Sequence, residues 1–159
     1  MRHTLGMTGD DHATINGRTV SASTVVAAPP EEVFALLANP HRHHEFDGSG
    51  TVRGAVSGPQ RLALGDRFGM NMKITLPYRI TNRVVEFEPD RRIGWCHAAR
   101  AVWRYELEPV PGGTRVTETF DFRGSPLARG IELAGMHRAN AKSIRDTLRR
   151  LRQIFGTPA

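Results

Sequence analysis

Residues 18–27 alternate, with Val20, Ala22, Thr24 and Val26 separated by mostly small polar positions, and β-branched side chains are frequent. A period of two with that composition predicts a half-buried strand. Pro29 and Pro30 then stand before EEVFALLAN. Proline suits a first helical turn, Glu31 and Glu32 suit the positive end of a helix dipole, and Asn39-Pro40 stops the segment, so a short helix is expected. Its apolar side is Val33, Phe34, Leu36 and Leu37, and the following HRHHEFDGSG is polar enough for only a loop or helical turn. Six more stretches read as strands: Thr51 to Val56, Asp66 to Thr75, Arg79 to Phe87, Ile93 to Ala98, Val102 to Glu108 and Arg115 to Phe122. Ser57-Gly58-Pro59, Leu76-Pro77, Glu88-Pro89-Asp90 and Val110-Pro111-Gly112-Gly113 supply turns between them, which makes the run a meander.

From Pro126 to Phe155, the positions Ala134, His137, Ala141, Ile144, Leu148, Leu151 and Phe155 recur at alternating spacings of 3 and 4, the pattern of one long amphipathic helix. The sum is an α+β domain with seven strands, a curved antiparallel sheet whose inner face only the final helix is long enough to cover. A bent sheet pulls away from a straight helix, and the hollow left between them is a candidate ligand pocket. Met1 to Gly17 is poor in large apolar residues, so 1–17 is expected as a flexible tail before a single domain over 18–156.

With 159 residues, 39% of them hydrophobic and 24% charged, the chain can build one core. No apolar run approaches the roughly 20 residues of a membrane helix. Arg2 and His3 are not followed by an apolar signal region, so a cytoplasmic protein without an integral membrane segment is expected. Cys96 is the single cysteine, which excludes an internal disulfide and a cysteine metal cluster.

The net charge of +6 raises the question of nucleic acid or anionic membrane. From Pro126 onward there are seven basic residues against Glu132 and Asp146, and the remainder of the chain is nearly balanced. These cations fall mostly between the apolar positions of the final helix, as on a solvated outer face. Arg outnumbers Lys 20 to 2 along the whole chain and no nucleic-acid motif accompanies it, so no nucleic-acid partner is expected.

Alternation puts Phe68, Met70, Met72 and Ile74 on one side of their strand, Trp103, Tyr105 and Leu107 on one side of another, Trp95 with His97, and Phe120 with Phe122. The candidate ligand-binding residues are Phe68, Met70, Met72, Trp95, His97, Trp103, Tyr105 and Phe120, with Met136, His137 and Asn140 above them on the final helix. Thioethers adapt in shape and aromatic rings stack, which suits a flat or chain-like apolar ligand. The same side chains would equally fill a packed core, and the sequence leaves both readings open. His97 and His137 could orient a carbonyl or move a proton, but no partnered carboxylate is evident, and no catalytic residue is assigned. His41, His43 and His44, with Glu45 and Asp47, sit on one short turn and cannot easily converge on an ion. They read as a solvent-exposed loop beside the pocket mouth, and neither metal nor cofactor is expected. Asp47-Gly48-Ser49-Gly50 reads as a structural turn.

The segments VVAAPPEEVFALLANP, HEFDGSG, LALGDRFGMNMKI, NRVVEFEPDRRIGWCH and VWRYELEPVPGGTRVTETF, in this order and spacing, resemble the START-like superfamily of polyketide cyclase/dehydrase and lipid-transport type. That resemblance implies the helix-grip fold of the birch pollen allergen: a seven-stranded curved sheet wrapped on a long C-terminal helix, with two short helices after the first strand. It also implies binding or transport of a small hydrophobic molecule, lipid-like or polyketide-like, in an internal cavity. The alternative is a cyclase or dehydrase acting on a ligand in the same cavity, with His97, Tyr105 or His137 assisting proton transfer. Either a monomer or a homodimer is compatible with the sequence.

Overall fold

Strand pairing organises the computed structural model, which describes residues 12–97 and 99–159. Eight strands, β1 (Thr14–Asn16), β2 (Thr19–Val26), β3 (Val52–Ser57), β4 (Arg67–Lys73), β5 (Pro77–Glu88), β6 (Arg92–Cys96), β7 (Val102–Val110) and β8 (Gly113–Asp121), form one antiparallel sheet. Their order is β1-β2-β8-β7-β6-β5-β4-β3, so β3 to β8 form a continuous meander and β2 closes onto its last strand. Along β2 the inward Val20, Ala22, Thr24 and Val26 are buried, as period-two alternation requires.

Several expectations change. The sheet has eight strands rather than seven, because Thr14–Asn16 turns back at Gly17 (φ 58°) and pairs with β2, ending the expected tail early. A three-residue strand is too short to show periodicity in the sequence; residues 1–11 of the tail lie outside the described residues, as does Ala98, the expected end of β6. The short helices consequently follow the second strand. Lastly, β4 stops at Lys73, so Ile74, expected to face inward, lies on the hairpin turn and is 73% exposed.

α1 (Pro30–Leu37) begins with proline in its first turn and buries Val33, Phe34, Leu36 and Leu37. A 3-10 turn (Pro40–Arg42) leads into the single-turn α2 (His43–Phe46). The long helix expected from Pro126 is two: α3 (Ala128–Leu133) and α4 (Met136–Phe155). They break at Gly135, whose φ of 68° cannot continue a right-handed helix. Ala134, placed in the buried stripe by its spacing, is the exposed C-cap of α3. Within α4 the stripe holds: Ile144, Leu148 and Leu151 are buried, with Ala141 and Phe155 against the same core.

The α2–β3 loop is fastened to α4. The Gly48 amide donates to Thr147 Oγ1 at 2.8 Å, and the Arg150 guanidinium donates to the Asp47 carbonyl. A Cβ on Gly48 would collide with the Ser143 carbonyl oxygen and the Thr147 nitrogen, both helix backbone. Gly48→Ala is therefore expected to lower stability by about 2–3 kcal/mol in urea unfolding, the usual cost of overpacking. Gly124→Ala, where an added Cβ meets open space, should change it by less than about 0.5 kcal/mol.

Candidate functional site

Cross-strand register sets the inner face of the sheet in transverse rows. One row runs Val84, Trp95, Trp103, Phe120, Val20; the next runs Phe87, Ile93, Tyr105, Glu118, Ala22; Leu107, Val116 and Thr24 follow. A carboxylate thus occupies a position that alternation reserves for the core, and Glu118 is 2% exposed. Tyr105, its neighbour across the strands, donates its hydroxyl to Glu118 Oε1 at 2.9 Å. Glu118 Oε2 is buried without a hydrogen-bond partner, and so is Thr24 Oγ1 on the adjoining strand.

Aromatic rings flank the Tyr105 side of this pair. Trp95 lies 5.6 Å from Tyr105 between ring centroids and stacks on His43 at 4.8 Å, while the edges of Phe46 and Phe68 approach His43 at 5.2 and 5.4 Å. Phe46 also meets Tyr105 edge-on at 6.2 Å. A second group, joined to the first where Trp103 pairs with Trp95, sets Trp103 tilted against Phe120 at 4.8 Å, stacks Phe120 on Phe122 at 5.4 Å and tilts Phe122 against His137 at 6.2 Å.

Burial pushes the Glu118 carboxyl well above the ordinary carboxylate range; the Tyr105 hydroxyl opposes that shift and the Asp47 charge adds to it. Burial likewise pushes the Tyr105 phenol up, helped by the Glu118 charge and hydrogen bond. A carboxyl removed from water favours its neutral form, and burial biases Glu118 in that direction. His43 is held neutral by the same physics, pushed down to about 4 by burial, and its Nε2 hydrogen donates to the Leu37 carbonyl at 2.8 Å. The inner face therefore presents an acid biased toward its neutral form and a neutral imidazole among apolar rings.

The comparisons with known proteins agree with this architecture. The profile of the family described as polyketide cyclase / dehydrase and lipid transport matches residues 17–156. The chain belongs to that family. Its relatives include an uncharacterized protein of Mycobacterium tuberculosis, Rv0088, 45% identical over 138 residues that make up 83% of this chain and 62% of that protein. The chain thus spans about 62% of the length of the curated relatives it matches. Among solved structures, a protein from Arthrobacter aurescens superposes with a TM-score of 0.69 at 14% identity, covering 89% of this chain and 91% of the other. The Polyketide_cyc-like protein Cgl2372 from Corynebacterium glutamicum does so with a TM-score of 0.63 at 21% identity, covering 89% and 93%. These likenesses establish the helix-grip fold for this polyketide cyclase/dehydrase and lipid transport family member.

Within that family frame, the candidate residues divide between the two aromatic groups and positions on β4, past β6 and at the start of α4. Phe68, Trp95 and Tyr105 join the first aromatic group, and Trp103, Phe120 and His137 the second. Met70 is buried on β4, whereas Met72 is half-buried where β4 nears the hairpin turn. His97, just past β6, is half-buried and accepts at Nδ1 from the Ala99 amide at 3.4 Å. Met136 opens α4 half exposed, with half-buried Asn140 one turn on. His137 Nδ1 is buried without a hydrogen-bond partner.

The histidine-rich turn departs from expectation. His41 and His44 are exposed, but His43 enters the core, because one helical turn puts it and Phe46 on the same side. Among the described residues no group of three or more metal-ligating side chains converges. Sequence reasoning missed Glu118, Phe46 and His43. Glu118 carried a signal, since Val116, Glu118 and Phe120 share the inward period of β8 and Phe122 continues it just past the strand.

A raised carboxyl pKa means that the folded state binds more protons than the unfolded state, so Glu118 costs stability as pH climbs from its ordinary 4.5 toward its folded value. His43 acts oppositely, adding stability as pH rises from about 4 to 6.5 and nothing further above. Glu118→Gln should therefore remove a downward slope in stability that the parent protein shows above pH 6.5, read from urea midpoints across pH.

Proposed function

We propose that the protein binds a small, mostly apolar molecule, lipid-like or polyketide-like, along the inner face of its sheet beneath α4, and that Glu118 holds a carbonyl or hydroxyl of that molecule. The supporting observation is the buried carboxyl with one oxygen bound to Tyr105 and the other buried without a partner. In its neutral form Glu118 offers an O–H donor from Oε2. An unmet buried donor is costly, and a ligand oxygen would satisfy it. Trp95, Trp103 and Phe120 supply flat stacking surfaces, Phe68, Met70 and Met72 an adaptable apolar wall, and His97, Met136, His137 and Asn140 the more open margin.

The same carboxyl favours a second reading, cyclase or dehydrase chemistry. An acid still protonated at neutral pH can give a proton to a bound carbonyl, and Tyr105 would steady the carboxylate left behind. Conversion of a poly-β-ketone that is lost in Glu118→Gln while binding persists would decide for this reading.

Native mass spectrometry of gently purified protein tests the binding reading, with an added mass that disappears on unfolding as the expected result. In thermal shift, a long-chain 2-alkanone should raise Tm more than the alkane of equal length. Glu118→Leu should erase that difference, weakening ketone binding by about tenfold, the worth of one buried hydrogen bond. A bare protein that no apolar compound stabilises would refute the proposal.

A further inference from the structure

The turn between β4 and β5 presents large apolar side chains to solvent: Ile74 is 73% exposed, Leu76 75% and Tyr78 41%. Lys73 and Arg79 bracket them. At the base of the turn Arg53, Asn71, Lys73 and Arg79 border an open depression of about 470 Å³ with Met72, Pro77 and Tyr78 as its apolar lining. Farther along the same strands, Arg67 and Arg83 are exposed and lie directly opposite each other, an arrangement that costs energy unless an anion separates them.

Among the described residues no carboxylate forms an ion pair with Arg53, Arg67, Lys73, Arg79 or Arg83. Between residues 51 and 85 the sole acid is Asp66, whose carboxylate accepts the Ala63 amide. Elsewhere on the sheet cations are matched, Arg104 with Glu86 at 2.5 Å and Arg115 with Glu108 at 2.9 Å. Among the described strand residues, the cations without an ion pair are thus those of β3, β4 and β5, and they adjoin the exposed apolar turn.

A soluble phosphate would need the cations but not the apolar tip, and nucleic acid would gain nothing from Ile74 and Leu76. A bilayer uses both: hydrocarbon receives the tip, and lipid phosphates meet the flanking cations. We propose that the β4–β5 hairpin docks the protein on an anionic membrane surface, with Ile74 and Leu76 entering between headgroups and Arg53, Lys73 and Arg79 pairing with lipid phosphates. Tyr78 sits at the headgroup level, where its ring and hydroxyl are both solvated appropriately. This docking goes beyond the ligand-binding proposal and stands without it.

Flotation of the full chain with phosphatidylcholine vesicles, with and without phosphatidylglycerol, tests the inference. Binding is expected with phosphatidylglycerol only and should weaken as salt is raised. Lys73→Gln with Arg79→Gln should weaken it roughly thirtyfold, about fivefold per charge. Ile74→Ser with Leu76→Ser should abolish it while leaving apolar-ligand retention in native mass spectrometry unchanged, which separates the two proposals. Arg138→Gln with Arg145→Gln, on α4, should leave vesicle binding as it was. The inference is overturned if anionic vesicles bind no protein, if the serine variant binds like the parent, or if the α4 variant loses binding as the hairpin variants do.

Discussion

A carboxyl group cannot be buried among aromatic rings at neutral pH without a proton or a partner, and Glu118 has both answers in part. Burial removes the water that would solvate the anion and so favours the protonated form, and Tyr105 satisfies one of its oxygens at 2.9 Å. Everything placed around the pair preserves that condition. Ala22 is small beside it on β2, Trp95 and Phe46 wall the Tyr105 side, and α4 covers β2 and β8. A polar atom retained in such a setting, with a second oxygen unmet, makes the inner face something other than a uniformly apolar core.

Closure of that face depends on close backbone approach as much as on side-chain packing. Gly48 lets the loop after α2 lie directly against the backbone of α4, and Thr147 and Arg150 tie it there. The same loop carries Asp47, whose charge reaches both Glu118 and Tyr105, and α2 carries His43 and Phe46 into the aromatic group. The two short helices therefore connect the sheet to the long helix and complete the site at once. At the other edge, the β4–β5 turn lies outside this closure and leaves its apolar side chains uncovered.

Much of this was legible before any coordinates. Alternation identified the inward sides of β2, β4, β6, β7 and β8, so Phe68, Met70, Trp95, Tyr105 and Phe120 were recognisable as interior residues, and the 3-and-4 spacing located the buried stripe of α4. What escaped notice did so for physical reasons. Thr14–Asn16 gains its strand conformation from pairing with β2, a tertiary effect with no local period. Gly135 reads as one more small residue until its left-handed backbone breaks the helix. Glu118 and His43 were passed over because their chemistry belongs to surfaces, although each sits at a core position of its element. Charge misled in the opposite way. The chain outside the last helices is nearly balanced in total, but its acids Glu86, Glu106 and Glu108 serve Arg104, Arg92 and Arg115, which leaves the cations of β3 to β5 unmatched.

Membership of the polyketide cyclase/dehydrase and lipid transport family fixes the architecture, and on the inner face of that architecture Glu118 places a buried carboxyl with one oxygen unpartnered. The most direct measurement is the pH titration of the Glu118 side-chain carboxyl carbon by NMR, assigned by the signal that Glu118→Gln removes. The account expects the resonance of a protonated carboxyl to persist through neutral pH. Titration in the range of an ordinary solvent-exposed glutamate would contradict it.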